Sequence, residues 1–302
     1  MRAAFAFPLL LAGLLCLSAT PGGAQDMAAT RPDAAAVSTW ADGLFEPALA
    51  TRRFSAAQIV VVQDGAVLFA KGYGVADPAT GRTMDPATTE VRIGSTTKSF
   101  TATAIAQLLE QGRIASLDDP ANKYLKRVQL PDWQGQAITV RHLLTHRAGS
   151  EDFAFSLGTD HAVPHPVNAD IIRRHMPELV RPPGGAVVYS NFGTAVLGLI
   201  VEDVSGEPID AYFKAHIFDP LGMADSRLDF RMQPSDRMAI PHAALPNGEW
   251  QKINHIPMHP FIAPAGGITT TGLDMARFMI AHIGGESGQG GILTPDGFRR
   301  MH

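Results

Sequence analysis

The sequence predicts a mixed α/β fold of the α+β type, in which an antiparallel hairpin precedes a long run of helices. The segment AQIVVVQDGAVLFAKGYGVAD, residues 57–77, holds two β-rich runs separated by Gln63-Asp64-Gly65, and Asp-Gly is a strong hairpin signal. RIGSTTKSFTATAIAQLLEQGRI, residues 92–114, has the apolar spacing of a buried helix. From about Leu117 to Leu228 the pattern indicates mostly short helices and loops. One hairpin followed by a helical block is typical of an α+β protein.

The first 24 residues have the pattern of a secretory signal peptide. MRAAFAFPLLLAGLLCLSATPGGAQ places one arginine before an apolar run and ends in small residues, so we expect cleavage near Ala24. A transmembrane anchor is the alternative, but the run is short and lacks a charged stop-transfer flank. No later segment is apolar enough to span a membrane. The sequence therefore predicts a secreted or periplasmic protein whose mature domain comprises residues 25–302.

A short amphipathic helix is predicted at the start of the mature chain. DAAAVSTWADGLFE, residues 33–46, carries Val37, Trp40 and Leu44 at helical spacing. Because proline removes a backbone donor and clashes with the preceding turn, we expect this helix to stop before Pro47.

The central helix is predicted to start near Ser95. Its apolar stripe is formed by Ile105, Leu108 and Leu109, which predicts that this face is buried. Gly112 is well placed as the C′ residue that ends the helix in a left-handed conformation.

The last part of the chain predicts a loop and two helix starts. PAGGITTTGLDMARFMIAHIGG, residues 264–285, indicates a Gly-rich loop followed by a helix. Thr294 followed by Pro295 has the pattern of an N-cap and a first-turn proline. The apolar positions of the first of these helices are Leu273, Ala276, Phe278 and Ile280.

Charge and cysteine content exclude several classes of function. The net charge is −4, from 25 basic and 29 acidic residues, and no long Lys/Arg run is present, so we expect no nucleic-acid partner. A small-molecule or peptide substrate fits better. The single cysteine, Cys16, lies within the predicted signal, which excludes disulfides, zinc–cysteine sites and cysteine nucleophiles in the mature chain.

Ser95 and Lys98 are candidates for a nucleophile and its proton partner. Side chains at i and i+3 of a helix are neighbours, and the helix N-terminus adds unpaired N–H groups and positive potential beside Ser95. A serine hydroxyl is inert until a base takes its proton, and lysine becomes that base when burial or a nearby cation lowers its pKa. A chance match to S-x-x-K is the alternative, so the pair requires partners.

Tyr189 and Asn191 are the second candidates, in a Y-x-N placed just before a predicted helix. A phenol beside an ammonium can share or relay a proton, and an amide can hold both the lysine and a substrate carbonyl. The alternative is that Tyr189 is half-buried with a satisfied hydroxyl and that Asn191 merely caps the helix.

Eleven histidines raise the question of a metal site. His142 pairs with His146, and His255 with His259, at a spacing of four. A zinc site of the H-E-x-x-H type requires a third ligand and a glutamate base, and no glutamate stands between His142 and His146. A Ser-His-Asp triad lacks support because the chain has no G-x-S-x-G elbow. We therefore predict neither a metal nor a cofactor.

Gly266 and Gly267 could form a phosphate-binding nest, but the lysine of a Gly-x-x-x-x-Gly-Lys motif does not follow. We expect instead a loop whose backbone passes close to the pocket.

The two motifs, in this order and about 90 residues apart, resemble the serine β-lactamase and penicillin-binding-protein superfamily, most closely its class C β-lactamase and family VIII esterase-like branch. The similarity covers roughly Gln58 to His302. It implies a β-lactamase/transpeptidase-like fold, with an antiparallel sheet flanked by helices and an all-helical subdomain at approximately residues 115–230. Further segments that look like the family are LDDPANKYL, ITVRHLLTHRAGS, GTAVLGLIVEDVSGEPIDAYFKAHIFDPLGMADS and PAGGITTTGLDMARF.

The resemblance also implies a role for each motif residue. Ser95 is expected to be the acylated nucleophile, and its backbone N–H one oxyanion donor. Lys98 is its expected proton partner, and Tyr189 the base that assists acylation and activates the deacylating water. Asn191 is expected to position the substrate. Whether Lys98 or Tyr189 takes the first proton stays open.

One element of the family pattern is not found. The family carries a strand with K-T-G or H-x-G opposite the serine, and this chain has no K-T-G. Its H-x-G, His282-Ile283-Gly284, ends the helix that begins near Leu273, and we interpret Gly284 as a helix C-cap. We therefore expect the C-terminal strands of the family to be missing, which leaves the residue 59–75 hairpin as the clear strand region. We expect a fragment of a longer reading frame, with a naturally shortened homologue as the alternative.

These inferences together predict an exported serine hydrolase that acts through a Ser95 acyl-enzyme on esters or amides, as an esterase, D-amino-acid peptidase or β-lactamase. The alternative is a penicillin-binding or sensor module that does not turn over, or a truncated pseudo-enzyme, because a second oxyanion donor is not evident. The oligomeric state and physiological role are not predicted from this sequence.

Overall fold

A computed structural model describes residues 31–151, 169–229, 235–253 and 260–302. The predicted signal peptide of residues 1–24, Cys16 and the His255/His259 pair lie outside the described residues. In the described part, the main helices are α1 (Ala34–Ala50), α2 (Thr97–Glu110), α3 (Val140–Leu144), α4 (Ala169–Arg174), α5 (Asn191–Ser205), α6 (Ile209–Phe213), α7 (Asp219–Leu221), α8 (Ala263–Gly266), α9 (Gly272–Gly285) and α10 (Pro295–Met301). None of the helices within these ranges combines the length and apolar content needed to cross a bilayer.

The strands of the described residues form three small antiparallel sheets, which confirms the α+β fold class. Their orders are β1-β2-β3, β4-β8-β5 and β6-β7. The strands are β1 (Ala56–Gln63), β2 (Ala66–Asp77), β3 (Arg82–Thr83), β4 (Val91–Arg92), β5 (Arg227–Leu228), β6 (His242–Ala244), β7 (Trp250–Lys252) and β8 (Ile268–Thr270).

The β1–β2 hairpin confirms the prediction from the Asp-Gly pair. Asp64 and Gly65 both have positive φ, at 52° and 76°. Positive φ at both central residues defines the type I′ turn, whose twist matches that of the paired strands.

Helix α1 differs from its prediction in length and in the face that it buries. It continues to Ala50 with Pro47 inside it, because the carbonyl of Pro47 accepts from the Thr51 N–H at 2.9 Å and completes the last turn. Val37 is buried, as is Ala41 one turn later, but Trp40 and Leu44 are 58% and 52% exposed. The helix packs on β2 through a narrower face than the apolar spacing indicates.

Helices α2 and α5 lie at the centre of the main core. Ile105 and Leu108 of α2 are fully buried, and Leu109 packs against the same cluster, as predicted. A 3-10 turn, Gly94–Thr96, precedes α2 and contains Ser95. Gly112 has a φ of 69°, and its N–H donates to the carbonyl of Leu109, so this glycine ends the helix as expected.

Between residues 117 and 228 the described residues form the short helices α3, α4, α6 and α7, the 15-residue helix α5, single 3-10 and π turns, and strand β5 at the end. The π turn Lys214–Phe218 connects α6 to α7. A separate helical subdomain at residues 115–230 stays a prediction.

The Gly-rich segment before α9 is more regular than its sequence predicts. It contains the short helix α8 and then β8, the central strand of the β4-β8-β5 sheet. The hairpin is therefore not the sole strand region, and the expectation that it was is wrong. β8 is three residues long, too short to show a two-residue alternation, and its partner strands come from distant parts of the chain.

The predicted end of α9 is also wrong, whereas the start of α10 is confirmed. Gly284 lies inside α9, which runs on to Gly285 with Glu286 as its C-cap. Thr294 is the N-cap of α10, and its side chain accepts from the Gly297 N–H at 3.1 Å.

Gly198 allows α5 to approach α8 closely, and replacing it by alanine is expected to lower the free energy of unfolding. A Cβ at this position would lie 2.4 Å from Cγ of Pro264, the residue before Ala265. Overpacking of this kind costs about 1–3 kcal/mol, measurable by urea denaturation. Gly43→Ala in α1 is the control: no atom lies within 4 Å of the added Cβ, so we expect a gain of about 0.5–1 kcal/mol. Equal stability of the two variants would contradict the close α5–α8 packing.

Candidate active site

The four residues of the two sequence motifs meet in space. Ser95 lies in the 3-10 turn before α2, and Lys98 lies in the first turn of α2. Tyr189 lies two residues before the first residue of α5, which is Asn191. Contact between α2 and α5 brings the two motifs together.

Ser95 Oγ is the atom on which the site converges. The Tyr189 hydroxyl donates a hydrogen bond to it at 2.6 Å, and Lys98 Nζ donates to it at 3.2 Å. Ser95 is exposed, and Tyr189 is 48% exposed. A substrate can therefore reach Oγ from solvent while two possible proton acceptors already touch it.

Lys98 has two further acceptors besides Ser95. Its Nζ donates to Asn191 Oδ1 at 2.8 Å and to the carbonyl of Ala265 at 2.8 Å. An ammonium has three N–H donors, and these three acceptors use all of them. In a neutral amine, two N–H groups can stay on the carbonyl-type oxygens while the lone pair faces Ser95 Oγ. The same geometry thus serves both protonation states of Lys98.

The carbonyl of Ala265 is a site group that the motifs did not identify. Thr101 Oγ1 donates to the carbonyl of the preceding Pro264 at 2.7 Å, and Thr97 Oγ1 accepts from the Ile268 N–H at 3.1 Å. Both threonines are fully buried. The helix that carries Lys98 therefore also fixes the backbone that Lys98 binds, in agreement with the expectation that this Gly-rich segment passes close to the pocket.

A cation–π contact holds the Tyr189 ring beside Lys98, and a helix cap fixes the start of α5 that follows it. Lys98 Nζ lies 4.7 Å from the centre of the Tyr189 ring, within cation–π range. The N-cap of α5 is Ser190, whose Oγ accepts from the Gly193 N–H at 2.9 Å. Asn191 therefore does not cap the helix, and its amide oxygen is available for Lys98.

The backbone N–H of Ser95 lies in the 3-10 turn that directly precedes α2. N–H groups at a helix start have no partner within the helix, and the positive end of the helix dipole is nearby. The role of this N–H as an oxyanion donor stays a prediction.

The H-x-G match does not contribute a second oxyanion donor from a strand, because His282 and Gly284 lie within α9. The His282 ring packs between Phe278 and Phe298, and one of its nitrogens lies 3.2 Å from a ring nitrogen of His302. Burial, with His302 beside it, lowers the pKa of His282 to about 4. His282 is thus a neutral packing residue at physiological pH.

His142 and His146 each accept a hydrogen bond from a different backbone N–H. His142 Nδ1 accepts from the Thr139 N–H at 3.2 Å, and Thr139 Oγ1 accepts from the His142 N–H, which together form a capping box for α3. His146 Nδ1 accepts from the Ser190 N–H at 3.2 Å. Across the described ranges, no group of three or more His, Cys, Asp or Glu side chains is arranged to hold a metal ion.

Comparisons with known proteins point to one family. The profile of the family described as Beta-lactamase matches residues 41–301. The esterase EstB of Burkholderia gladioli is 31% identical over 223 residues, which cover 70% of this chain and 56% of EstB. The chain thus spans about half the length of the curated relatives it matches.

Two solved structures share the fold. The octameric penicillin-binding protein homologue from Pyrococcus abyssi matches with a TM-score of 0.73 and 29% identity, over 88% of this chain and 59% of that chain. The D-alanine carboxypeptidase AmpC from Burkholderia cenocepacia matches with a TM-score of 0.65 and 25% identity, over 88% of this chain and 68% of that chain.

Proposed function

Because this chain belongs to the beta-lactamase family, we propose that it is a serine hydrolase that cleaves an ester or amide through an acyl-enzyme on Ser95. The observation that carries the proposal is the placement of Ser95 Oγ within hydrogen-bond distance of both Tyr189 Oη, at 2.6 Å, and Lys98 Nζ, at 3.2 Å. A nucleophile in contact with its proton acceptor is the arrangement that covalent catalysis requires.

In the first step, Ser95 Oγ attacks the carbonyl carbon and gives its proton to Tyr189 Oη or Lys98 Nζ, whichever of the two is in its deprotonated form. The oxyanion that forms faces the Ser95 N–H. The C–O or C–N bond then breaks, and the alcohol or amine leaves with a proton from the Tyr189–Lys98 pair. In the second step, water gives a proton to that pair and attacks the acyl carbon. The bond between the acyl carbon and Ser95 Oγ then breaks, the pair returns the proton to Oγ, and the acid is released.

The remaining two groups keep this geometry in place. Asn191 Oδ1 and the Ala265 carbonyl each accept a hydrogen bond from Lys98 Nζ at 2.8 Å and so hold the amine beside Ser95. A fixed positive charge near Oγ stabilises the negative charge that develops during attack. Asn191 also offers an amide N–H₂ group to a substrate carbonyl.

The substrate class that we propose is a small ester, a D-amino-acid peptide or a β-lactam. Support comes from the names of the similar proteins, which include an esterase and a D-alanine carboxypeptidase. We further propose export, on the basis of the signal-like residues 1–24. A secreted or periplasmic location would bring the enzyme to cell-wall peptides and external esters.

A slowly acylated binding module is the second candidate. The position of His282 and Gly284 inside α9 favours it, because the H-x-G of this chain lies in a helix and not, as in the family, in a strand that supplies a second oxyanion donor. Loss of one such donor typically costs a factor of about 10²–10³ in turnover.

Mass spectrometry separates the two candidates. The protein is incubated with 4-nitrophenyl butyrate, a chromogenic cephalosporin and a D-alanyl-D-alanine peptide, while product release is recorded. Turnover with a transient adduct on Ser95 supports the hydrolase and ranks the substrate classes. A stable Ser95 adduct without turnover supports the binding module. Absence of any Ser95 adduct, including with a fluorophosphonate probe, contradicts both.

A further inference from the structure

The second histidine of RHLLTH has a backbone conformation that calls for an explanation. His146 follows α3 and has a φ of 58°, in the left-handed region that residues other than glycine seldom adopt. Such conformations persist where surrounding contacts determine them, and they concentrate at functional sites.

The contacts of His146 converge on three consecutive residues of the active site. Its carbonyl accepts from the Val188 N–H at 2.8 Å, and its Nδ1 accepts from the Ser190 N–H at 3.2 Å. Its ring lies against the ring of Tyr189, with centroids 4.7 Å apart and planes at 39°. The left-handed turn thus directs both the backbone and the imidazole of His146 to one short segment.

The Tyr189 ring needs such support because its surroundings do not enclose it. The side chain is 48% exposed, although its hydroxyl has to stay 2.6 Å from Ser95 Oγ. Lys98 contacts the ring at 4.7 Å, and the His146 ring contacts it as well. Directly after Tyr189, Ser190 is extended, with φ −137° and ψ 120°, so its N–H lies outside α5 and takes the imidazole as acceptor.

We propose that His146 is a positioning residue that sets the place of Tyr189 relative to Ser95, through Nδ1 bound to the Ser190 N–H and through the ring contact. This inference rests on the proposed function, in which Tyr189 exchanges a proton with Ser95. It also assigns the imidazole its tautomer: Nδ1 is the acceptor, so the proton of the neutral ring is on Nε2.

Two substitutions separate the Nδ1 contact from the rest of the side chain. In His146→Asn, Oδ1 is attached to Cγ as Nδ1 is, and asparagine tolerates positive φ well. In His146→Gln, the amide lies one bond further out, near the position of Nε2. Asparagine is therefore expected to keep the acceptor for the Ser190 N–H, and glutamine to lose it.

His142 provides the matched control. Its Nδ1 also accepts a backbone N–H at 3.2 Å, from Thr139, but it serves the cap of α3 and does not contact Tyr189. His142→Gln should therefore lower thermal stability without a specific effect on kcat.

The test measures kcat and KM for 4-nitrophenyl butyrate, the labelling rate of Ser95 by a fluorophosphonate, and thermal unfolding. We expect His146→Gln to lower kcat and the labelling rate about 10- to 100-fold, with KM within about twofold, because small displacements of catalytic groups have effects of this size. His146→Asn should stay within about threefold of the parent. In a Tyr189→Phe background, His146→Gln should cause no further loss.

Three results would overturn the inference: unchanged kcat in His146→Gln, equal losses in His146→Gln and His142→Gln, or fully multiplicative losses in the double variant with Tyr189→Phe. Should His146→Gln not fold, His146→Gly replaces it, since glycine keeps the left-handed turn and removes the ring. Failure of the parent protein to label at Ser95 would instead reject the proposed function.

Discussion

Replacing Ser95 by alanine is expected to lower kcat for ester hydrolysis about 10⁶-fold, the loss typical of removing a serine nucleophile. The substitution deletes the atom on which Tyr189 and Lys98 converge and leaves no oxygen to accept the acyl group. The backbone N–H at position 95 remains, so substrate binding should persist. Hydrolysis of 4-nitrophenyl butyrate, followed over long incubation times, measures the loss of kcat. Mass spectrometry of the intact protein shows whether the acyl adduct of the parent protein is absent from the variant.

Ser99→Ala is the matched control for this variant. Ser99 lies one turn further along α2, and its hydroxyl donates to the carbonyl of Thr96 at 2.7 Å. Because this bond is local to the helix, kcat should change less than about twofold. Hydrolysis by Ser95→Ala at more than about 1% of the parental rate would show that another nucleophile is at work.

Replacing Lys98 by methionine is expected to lower kcat about 10³- to 10⁴-fold. Methionine keeps an unbranched apolar chain of similar length but removes the donor that binds Ser95 Oγ, Asn191 Oδ1 and the Ala265 carbonyl. Proton transfer by a positioned group contributes about 10²–10⁴-fold, and the lost positive charge adds to the effect. Two acceptors left without their donor should also lower the free energy of unfolding by about 1–3 kcal/mol.

Lys71 supplies the control, because it also lies over a tyrosine ring but has its polar contact with Asp42 and not with a residue of the site. Its Nζ donates to Asp42 at 2.6 Å and lies 4.9 Å from the centre of the Tyr73 ring, much as Lys98 lies over Tyr189. Lys71→Met should change stability slightly and leave kcat within about twofold. If Lys98→Met behaves as Lys71→Met does, Lys98 has a structural role and the proposed chemistry is wrong.

Most predictions that depend on local chemistry agree with the structure, although helix α1 does not stop before Pro47 and Gly284 is not the C-cap of α9. The Asp64-Gly65 turn, the Gly112 helix end and the Thr294-Pro295 helix start each involve a few neighbouring residues whose backbone preferences favour one conformation. The β-lactamase/transpeptidase-like fold, implied by the resemblance, is confirmed by the structural matches with penicillin-binding-protein and carboxypeptidase relatives.

Predictions of which face of a helix is buried, and of which segments pair as strands, agreed less well with the structure. The stripe of Val37, Trp40 and Leu44 indicated a helix correctly, but the sheet covers Val37 and leaves the other two exposed. Strand β8 was missed because its pairing with Val91 and Arg227 links segments that are far apart in the chain. The spacing of apolar residues identifies a helix or a strand, whereas the packing of the folded chain decides which other elements lie against it.

For the candidate active site, the chain alone predicted the four side chains that the structure brings together. Ser95 and Lys98 are one helical turn apart, and Tyr189 and Asn191 bracket the N-cap of α5, so each pair can be recognised from spacing. Packing of α2, α5 and the segment before β8 set the distances that make these groups a site. The Ala265 carbonyl and His146 lie in segments that the resemblance covers, but the sequence does not mark them as site groups, because a carbonyl is common to every residue and a histidine has many uses. Their contribution arises from where the folded backbone places them, against Lys98 and Tyr189.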